Sequence, residues 1–150
     1  AMITDGEEAG LRGCKSWAKN HYDEYVNSGV ETVVLCVDTL TDREYLRVYN
    51  KDMTGTVKNN QQFSQLVMDA SKDAGHDDIE LSSVFFGSSD AAAFSQAGIT
   101  ATCLAAMDPR PADYYHNRRD TADRLVPETI KTGFDVIIST ILNFDEKGLN

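Results

Sequence analysis

The run VVLCVD at residues 33–38 is the stretch on which the fold depends, because it is apolar until its final acid. It closes a segment rich in β-branched residues, 30–37, of the kind that forms a central strand buried on both faces of a sheet. Two further apolar segments, 79–86 and 99–107, also have the composition of strands. Polar and apolar residues alternate less clearly at 44–49, which could form one more strand.

Segments with helical spacing alternate with these strands. Apolar side chains recur at helical intervals over residues 8–25 and 60–75, and the pair Asn59-Asn60 offers a cap to the second segment. A short helix over 91–97 and a long helix from Pro127 complete the pattern. The long helix carries an apolar stripe formed by Ile130, Phe134, Ile137, Ile138, Ile141 and Leu142. The alternation predicts an α/β three-layer sandwich, with a mostly parallel or mixed central sheet and helices on both faces.

Bulk properties narrow the class of protein. The 150 residues suffice for a single domain, and there is no repeat or Pro/Gly-rich linker to divide them. A net charge of −10 argues against nucleic acid as a partner, because phosphate binding needs a cationic surface. Since no apolar run approaches the roughly 20 residues of a membrane helix, we expect no membrane partner. The three cysteines form no C-x-x-C motif, which disfavours structural zinc, and the compartment stays unknown.

Acidic and histidine side chains follow the predicted strands. Asp38 ends the first strand, and Asp90 begins a helix directly after another. Glu7 and Glu8 stand where the first helix begins, and His116 lies in a loop after the last strand. Ligands of open α/β sheets bind in the crevice beyond the carboxyl ends of strands. The placement therefore predicts a shared site.

Each of these residues has a simpler interpretation when it is taken alone. Glu7 and Glu8 suit the first turn of a helix, where the helix dipole favours acids. Asp38 suits a turn at the end of a strand, and His116 suits a polar surface loop. Asp120 suits the N-cap of a following helical turn. A functional prediction therefore depends on the combination of these acids with the histidine.

Four short runs together resemble the co-catalytic zinc aminopeptidases of the M28 type. The runs are GEEAGLRG at 6–13, VLCVD at 34–38, GSSDAAAF at 87–94 with AGI at 97–99, and YH at 115–116 with DT at 120–121. They occur in the order that the family has, from residue 6 to about residue 125. The resemblance implies a zinc-dependent exopeptidase, a hydrolase that removes N-terminal residues from peptide substrates.

The resemblance also implies roles for the acids and the histidine. Glu7 would be the general base that activates water. Glu8 and His116 would bind one zinc ion, and Asp38 would bind the other.

Three more residues receive supporting roles by the same resemblance. Tyr115 would be catalytic, donating a hydrogen bond to the oxyanion of the tetrahedral intermediate. Asp120 would support the loop or the ring of His116. Asp90 would support the residues that bind the metal without binding it itself.

The chain departs from the family pattern at one end. The family's site also needs a histidine and a bridging aspartate from a segment before the two glutamates, and only five residues precede Gly6 here. His21 and His76 are poor replacements, because one lies on the first helix and the other in a run of acids. We therefore expect the carboxyl-terminal part of a catalytic domain, which binds one zinc ion or none and hydrolyses peptides weakly or not at all.

Other functions remain open at this point. A glutaminyl-cyclase-like enzyme would share the fold and use a single zinc ion. A non-catalytic interaction module would keep the fold without the chemistry. A sheet that lacks upstream strands would expose an edge, so we also expect self-association through that edge.

Overall fold

A five-stranded mixed sheet lies between two layers of helices in the computed structural model of the chain, which describes residues 1–110 and 112–149. The elements in chain order are α1 (Arg12–Val26), β1 (Val34–Asp38), β2 (Leu46–Asp52), β3 (Val57–Lys58), α2 (Gln61–Asp73), β4 (Leu81–Ser83), α3 (Asp90–Gln96), β5 (Ala101–Ala106) and α4 (Pro127–Lys147). Single 3-10 turns cover Arg43–Tyr45 and Ala122–Arg124. No helix in the described part of the chain has the length and apolarity needed to cross a membrane.

The sheet is mixed, and its centre is β5. The strand order is β1-β5-β2-β3, with β4 also paired to β2. β1 runs parallel to β5, β2 runs antiparallel to β5, and β4 runs parallel to β2. Every residue of β5 is buried, whereas β1 is half-buried to exposed. The prediction of a central strand at 30–37 is therefore wrong in position, because apolar composition indicates a strand without indicating its neighbours.

A hydrophobic core lies between the sheet and the helices on each of its two faces. This arrangement confirms the predicted three-layer sandwich with a mixed sheet. On one face, α1 and α3 pack over the sheet through Cys14, Ala18, Ala92, Phe94 and Cys103, among others. On the opposite face, α2 and α4 pack through Phe63, Val67, Leu104, Val136 and their neighbours.

The first helix begins later than its sequence pattern predicts. α1 starts at Arg12, because Gly10 and Leu11 adopt left-handed φ angles of 95° and 60°. Its first turn contains no acid, so the interpretation of Glu7 and Glu8 as first-turn residues is wrong. The two glutamates lie in the turn that precedes the helix.

Three further predicted elements are present, one of them much shorter than predicted. Asn60 caps α2, since its side chain accepts a hydrogen bond of 2.8 Å from the Phe63 amide. The possible strand at 44–49 exists as β2. The strand predicted at 79–86 shrinks to the three residues of β4.

Most of the apolar stripe of the long helix α4 faces away from the core, although such a stripe usually packs against it. Its buried side is small or polar, consisting of Thr129, Thr132, Gly133, Val136 and Thr140. Most of the predicted stripe is exposed instead, namely Phe134, Ile138, Ile141 and Leu142. Small residues face the neighbouring core because α4 lies close to it: the side chain of Leu40 fills the space where a Cβ on Gly133 would lie.

Candidate metal and catalytic centre

The turn that carries Glu7 and Glu8 is folded back against the start of α1. The amides of Gly10 and Leu11 donate to the Glu7 carbonyl over 3.0 and 2.8 Å, and the Gly13 amide donates to the Asp5 carbonyl over 3.1 Å. A Cβ on Gly13 would collide with the Asp5 carbonyl oxygen, so this close approach requires glycine. The buried side chain of Leu11 anchors the turn in the core.

Asp38 lies at the carboxyl end of β1. The next residue, Thr39, has a left-handed φ of 46°, and its hydroxyl donates to the Asp38 carboxylate over 3.0 Å. Because β1 and β5 are parallel, the loop that leaves β5 starts at the same edge of the sheet. The Ala106 amide ties the two strand ends together by donating to the Thr39 carbonyl over 3.0 Å.

His116 reaches Glu8 from the loop after β5. Its Nε2 lies 2.8 Å from Glu8 Oε2, with 52% of the histidine and 71% of the glutamate side chain exposed. The Tyr115 ring stacks on the imidazole, with the ring centres 3.8 Å apart. The structure thus brings Glu8 and His116 together from opposite ends of the chain, and their role as metal ligands stays a prediction.

Glu7 occupies the most unusual electrostatic environment of this group. Partial burial raises its pKa to about 7, and the negative charges of Glu8, Asp38 and Asp90 add to the shift. A pKa near neutrality suits a carboxylate that accepts and returns a proton.

The hydroxyl of Tyr115 lies within electrostatic range of the same acids. Partial burial raises the pKa of Tyr115, and Glu8, Glu7 and Asp38 raise it further. Asp38 therefore lies within electrostatic range of both Glu7 and Tyr115. These residues surround one acidic region.

Asp90 lies at the start of α3. The Thr4 hydroxyl donates to its Oδ2 over 2.6 Å, while its Oδ1 is buried without a hydrogen-bond partner among the described residues. Burial, and after it the nearby Asp90 carboxylate, raise the pKa of Cys14 to about 12, so this thiol stays protonated. Asp90 follows β4, which runs opposite to β1 and β5, so the carboxyl end of β4 lies at the other end of the sheet from those of β1 and β5.

Asp52 is a fully buried carboxylate at the end of β2 that was not among the predicted site residues. It accepts hydrogen bonds from the Ser89 amide at 2.9 Å, the Ser89 hydroxyl at 2.5 Å and the Met53 amide at 2.6 Å. Because Ser89 is the N-cap of α3, these bonds fix the start of the helix that carries Asp90. The adjacent serines at 88–89, which need an acceptor, were the weak sequence signal for such a residue.

Asp120 does not act as the predicted cap. The N-cap of the turn Ala122–Arg124 is Thr121. The Asp120 amide donates to the Asn117 carbonyl over 3.1 Å, which places Asp120 in the turn that follows His116. Its support of the histidine loop stays a prediction.

The side chains at this centre are of the types that bind zinc, but fewer of them lie together than a catalytic zinc site usually has. Zinc sites use imidazole nitrogen and carboxylate oxygen, and catalytic sites usually have three protein ligands. Within residues 1–110 and 112–149, no three His, Cys, Asp or Glu side chains lie close enough together to hold a metal ion. His21 contacts Glu24 at 3.0 Å and His76 contacts Asp135 at 3.3 Å, so each of these histidines has an acid of its own.

Solved structures with the same fold include two aminopeptidases. The aminopeptidase LapA of Legionella pneumophila is 16% identical, with a TM-score of 0.73 over 94% of this chain and 38% of its own. BSAP, a zinc aminopeptidase from Bacillus subtilis, is 19% identical, with a TM-score of 0.69 over 96% of this chain and 34% of its own.

A third structural relative is a glutaminyl cyclase from an Acidobacteriales bacterium. It is 17% identical, with a TM-score of 0.70 over 92% of this chain and 47% of its own. The chain thus spans between a third and a half of the length of these relatives. At such low identity these structures show the fold that they share with the chain.

Sequence comparison identifies the family. No curated protein sequence matches the chain. The family model of Peptidase family M28 matches residues 1–141, nearly the whole length. The chain therefore belongs to peptidase family M28.

Proposed function

We propose that the chain is a zinc-dependent aminopeptidase domain that removes N-terminal residues from peptides. The observation that carries this proposal is the contact between His116 Nε2 and Glu8 Oε2 at 2.8 Å, beside a glutamate whose pKa is about 7. A histidine and a carboxylate are ordinary zinc ligands, and a neutral-range glutamate is a suitable proton carrier. Membership of the M28 family supports the same activity.

Different residues of the proposed site bind the metal, transfer the proton and stabilise the oxyanion. Glu8 and His116 would hold zinc, which when bound polarises the scissile carbonyl and lowers the pKa of water. Glu7 takes the proton from the attacking water and passes it to the leaving amine. Tyr115, whose raised pKa keeps it protonated, donates a hydrogen bond to the carbonyl oxygen as negative charge develops there.

The remaining acids support this arrangement. Asp38 would serve as a further ligand, since it lies within electrostatic range of Glu7 and Tyr115. Asp90 and Asp120 would hold the ligand-bearing segments in place. Because two contacting donors are fewer than the usual three, we expect one zinc ion at most, weak binding and low activity from this chain by itself.

Zinc titration of the metal-free chain tests the proposal, with calorimetry as the readout. We expect Glu8→Gln and His116→Ala to abolish the binding isotherm. His21→Ala and Glu24→Gln are matched controls, because they alter another exposed His–Glu pair at a similar distance of 3.0 Å. Binding that survives both site variants, or that the control variants remove, would disprove the assignment.

Activity is measured on the zinc-loaded chain with an aminoacyl anilide. We expect slow release of the free aniline from the unchanged chain and none from Glu7→Gln, while Glu7→Gln reduces zinc affinity far less than His116→Ala does. Zinc binding with no difference between the chain and Glu7→Gln would favour a non-catalytic module.

A glutaminyl-cyclase-like activity is the second candidate, because the cyclase shares the fold with a TM-score of 0.70. A peptide with N-terminal glutamine separates the two activities by mass. Cyclisation releases ammonia and leaves the peptide bonds intact, whereas aminopeptidase action releases free glutamine.

A further inference from the structure

A buried carboxylate that the proposed reaction does not use lies at the end of β2. Asp52 is 0% exposed and accepts hydrogen bonds from two adjacent serines in the loop between β4 and α3. The donors are the Ser89 amide at 2.9 Å, the Ser89 hydroxyl at 2.5 Å and the Ser88 hydroxyl at 3.3 Å. Since a buried carboxylate is costly unless it is bonded in this way, these contacts hold the loop to the end of β2.

The backbone that follows Asp52 is strained and bonds to the same loop. Met53 and Thr54 have left-handed φ angles of 49° and 54°, which cost free energy in residues other than glycine. In this conformation the Met53 amide donates to Asp52 over 2.6 Å, and the Thr54 amide donates to the Gly87 carbonyl over 3.1 Å. Strain of this kind persists only where the surroundings hold it, so the end of β2 is a firm support for the loop.

The start of α3 is connected to the turn at residues 5–11, which carries both glutamates of the proposed site and is called the glutamate turn below. Ser89 caps α3 by accepting from the Ala91 amide over 3.2 Å, and Asp90 follows it directly. The Asp90 carboxylate accepts from the Thr4 hydroxyl over 2.6 Å. Because Thr4 directly precedes the glutamate turn, this bond joins α3 to the turn.

We propose that Asp52 is a positioning residue of the hydrolytic site, because it fixes the start of α3 and, through α3, the glutamate turn. The series of contacts runs from Asp52 to Ser89, Asp90 and Thr4. The inference rests on the proposed function, in which one glutamate of the turn moves the proton and the other binds zinc. Asp52 and Ser89 are 0% and 1% exposed, so no further segment can come between them.

The position of the glutamate turn decides whether Glu8 meets the histidine loop. Glu8 reaches His116 only through its side chain, over 2.8 Å, and a displacement of about 1 Å is enough to break such a contact. Metal binding and proton transfer both depend on this geometry. Loss of the support should therefore weaken both without removing any ligand.

Amide hydrogen exchange, measured by NMR on the metal-free chain, tests the series of contacts. The reporters are the amides of Gly10, Leu11 and Gly13, whose bonds of 3.0, 2.8 and 3.1 Å close the glutamate turn. Ser89→Ala removes the hydroxyl bond to Asp52, and we expect the three amides to exchange at least about tenfold faster. The amides of α2 report global stability, and an increase at the turn no larger than theirs would overturn the proposal.

Ser88→Ala is the matched control for this variant. The Ser88 hydroxyl makes only the longer bond of 3.3 Å to the same carboxylate, so exchange at the turn should change by less than about twofold. Equal acceleration by the two serine variants would overturn the proposal. Faster exchange of the Ala91 amide with an unchanged turn would also overturn it, because that pattern is the local loss of a helix cap.

Substitutions of Thr4 test the last contact without altering the buried carboxylate. Thr4→Val removes the hydroxyl and keeps the shape, so the turn amides should exchange faster while the Ala91 amide keeps its rate. Thr4→Ser keeps the hydroxyl and should preserve slow exchange. Contacts in series fail together, so Ser89→Ala combined with Thr4→Val should accelerate the turn no more than the stronger single variant. Additive effects would mean independent supports and would overturn the series.

Zinc titration of the same variants connects the network to the proposed function. We expect Ser89→Ala and Thr4→Val each to weaken zinc binding about tenfold, because the proposed ligands are unchanged and only their support is lost. Equal zinc affinity of these variants and the unchanged chain would overturn the positioning role. If the unchanged chain bound no zinc, the proposed function would fail, and the exchange rates would still decide whether Asp52 holds the turn.

Discussion

His116 Nε2 lies 2.8 Å from Glu8 Oε2, and this contact joins the turn before α1 to the loop after β5. The two segments stand near opposite ends of the chain and have no backbone pairing with each other in the described residues. Their meeting depends on two anchors. Leu11 and Gly13 hold the glutamate turn against α1, and β5 delivers the histidine loop to the edge where β1 ends.

The Glu8–His116 pair should contribute little to the stability of the metal-free chain. Both side chains are more than half exposed, and exposed ion pairs usually stabilise by less than about 1 kcal/mol. We expect the double-mutant cycle of Glu8→Gln and His116→Ala, measured by urea unfolding, to give a coupling below about 1 kcal/mol. A coupling of several kcal/mol would mean that the pair is a structural element of the fold.

The charge of Glu7 should make the metal-free chain less stable at high pH. Its pKa is about 7 in the folded chain and 4.5 ordinarily, so the stabilisation is complete below pH 4.5 and is lost as the pH rises through about 7. Glu7→Gln removes this loss. The difference in the free energy of unfolding between the variant and the unchanged chain should shift by about 1 kcal/mol in favour of the variant from pH 4 to pH 8. This figure already allows for the screening of the partly exposed Glu7 charge by solvent.

Urea unfolding at the two pH values, in the presence of a chelator, measures that gain. The exposed Glu80→Gln is the control and should show no comparable dependence on pH. A gain of the opposite sign would indicate that Glu7 is stabilised as the anion.

Asp52 should be the most costly acid to replace. Its buried carboxylate accepts bonds from the Ser89 amide, the Ser89 hydroxyl and the Met53 amide, and an asparagine would turn a donor towards some of them. We expect Asp52→Asn to lower the free energy of unfolding by about 3 kcal/mol. The exposed Asp77→Asn should change it by less than about 0.5 kcal/mol, and equal effects of the two would contradict the assigned network.

Gly13→Ala should release the glutamate turn. The added Cβ would strike the backbone carbonyl of Asp5, which can only move together with the turn, so we expect a loss of about 2 kcal/mol and faster tryptic cleavage after Arg12. Gly133→Ala is the comparison, because its Cβ would meet the flexible side chain of Leu40. A larger loss from Gly133→Ala than from Gly13→Ala would show that the turn is not held by this approach.

Locally encoded features could be predicted from the sequence. Asn60 caps α2 through an amide three residues away, and Pro127 begins α4 because its fixed φ suits the first helical position. Features that depend on distant neighbours could not. The position of β1 at the edge depends on which strands lie beside it, and the burial of Asp52 depends on the serines of another loop.

The amino-acid sequence by itself determined the order of the elements, the types of residue at their ends and the family pattern of acids, tyrosine and histidine. Periodicity and capping act between neighbours along the chain, so these properties survive without any knowledge of packing. Only the tertiary structure decided that Glu8 meets His116, that Glu7 is buried enough to titrate near pH 7, and that α4 exposes its apolar side. Those outcomes depend on distances between segments that are remote in sequence, which are set by the pairing of strands and the packing of helices on the sheet.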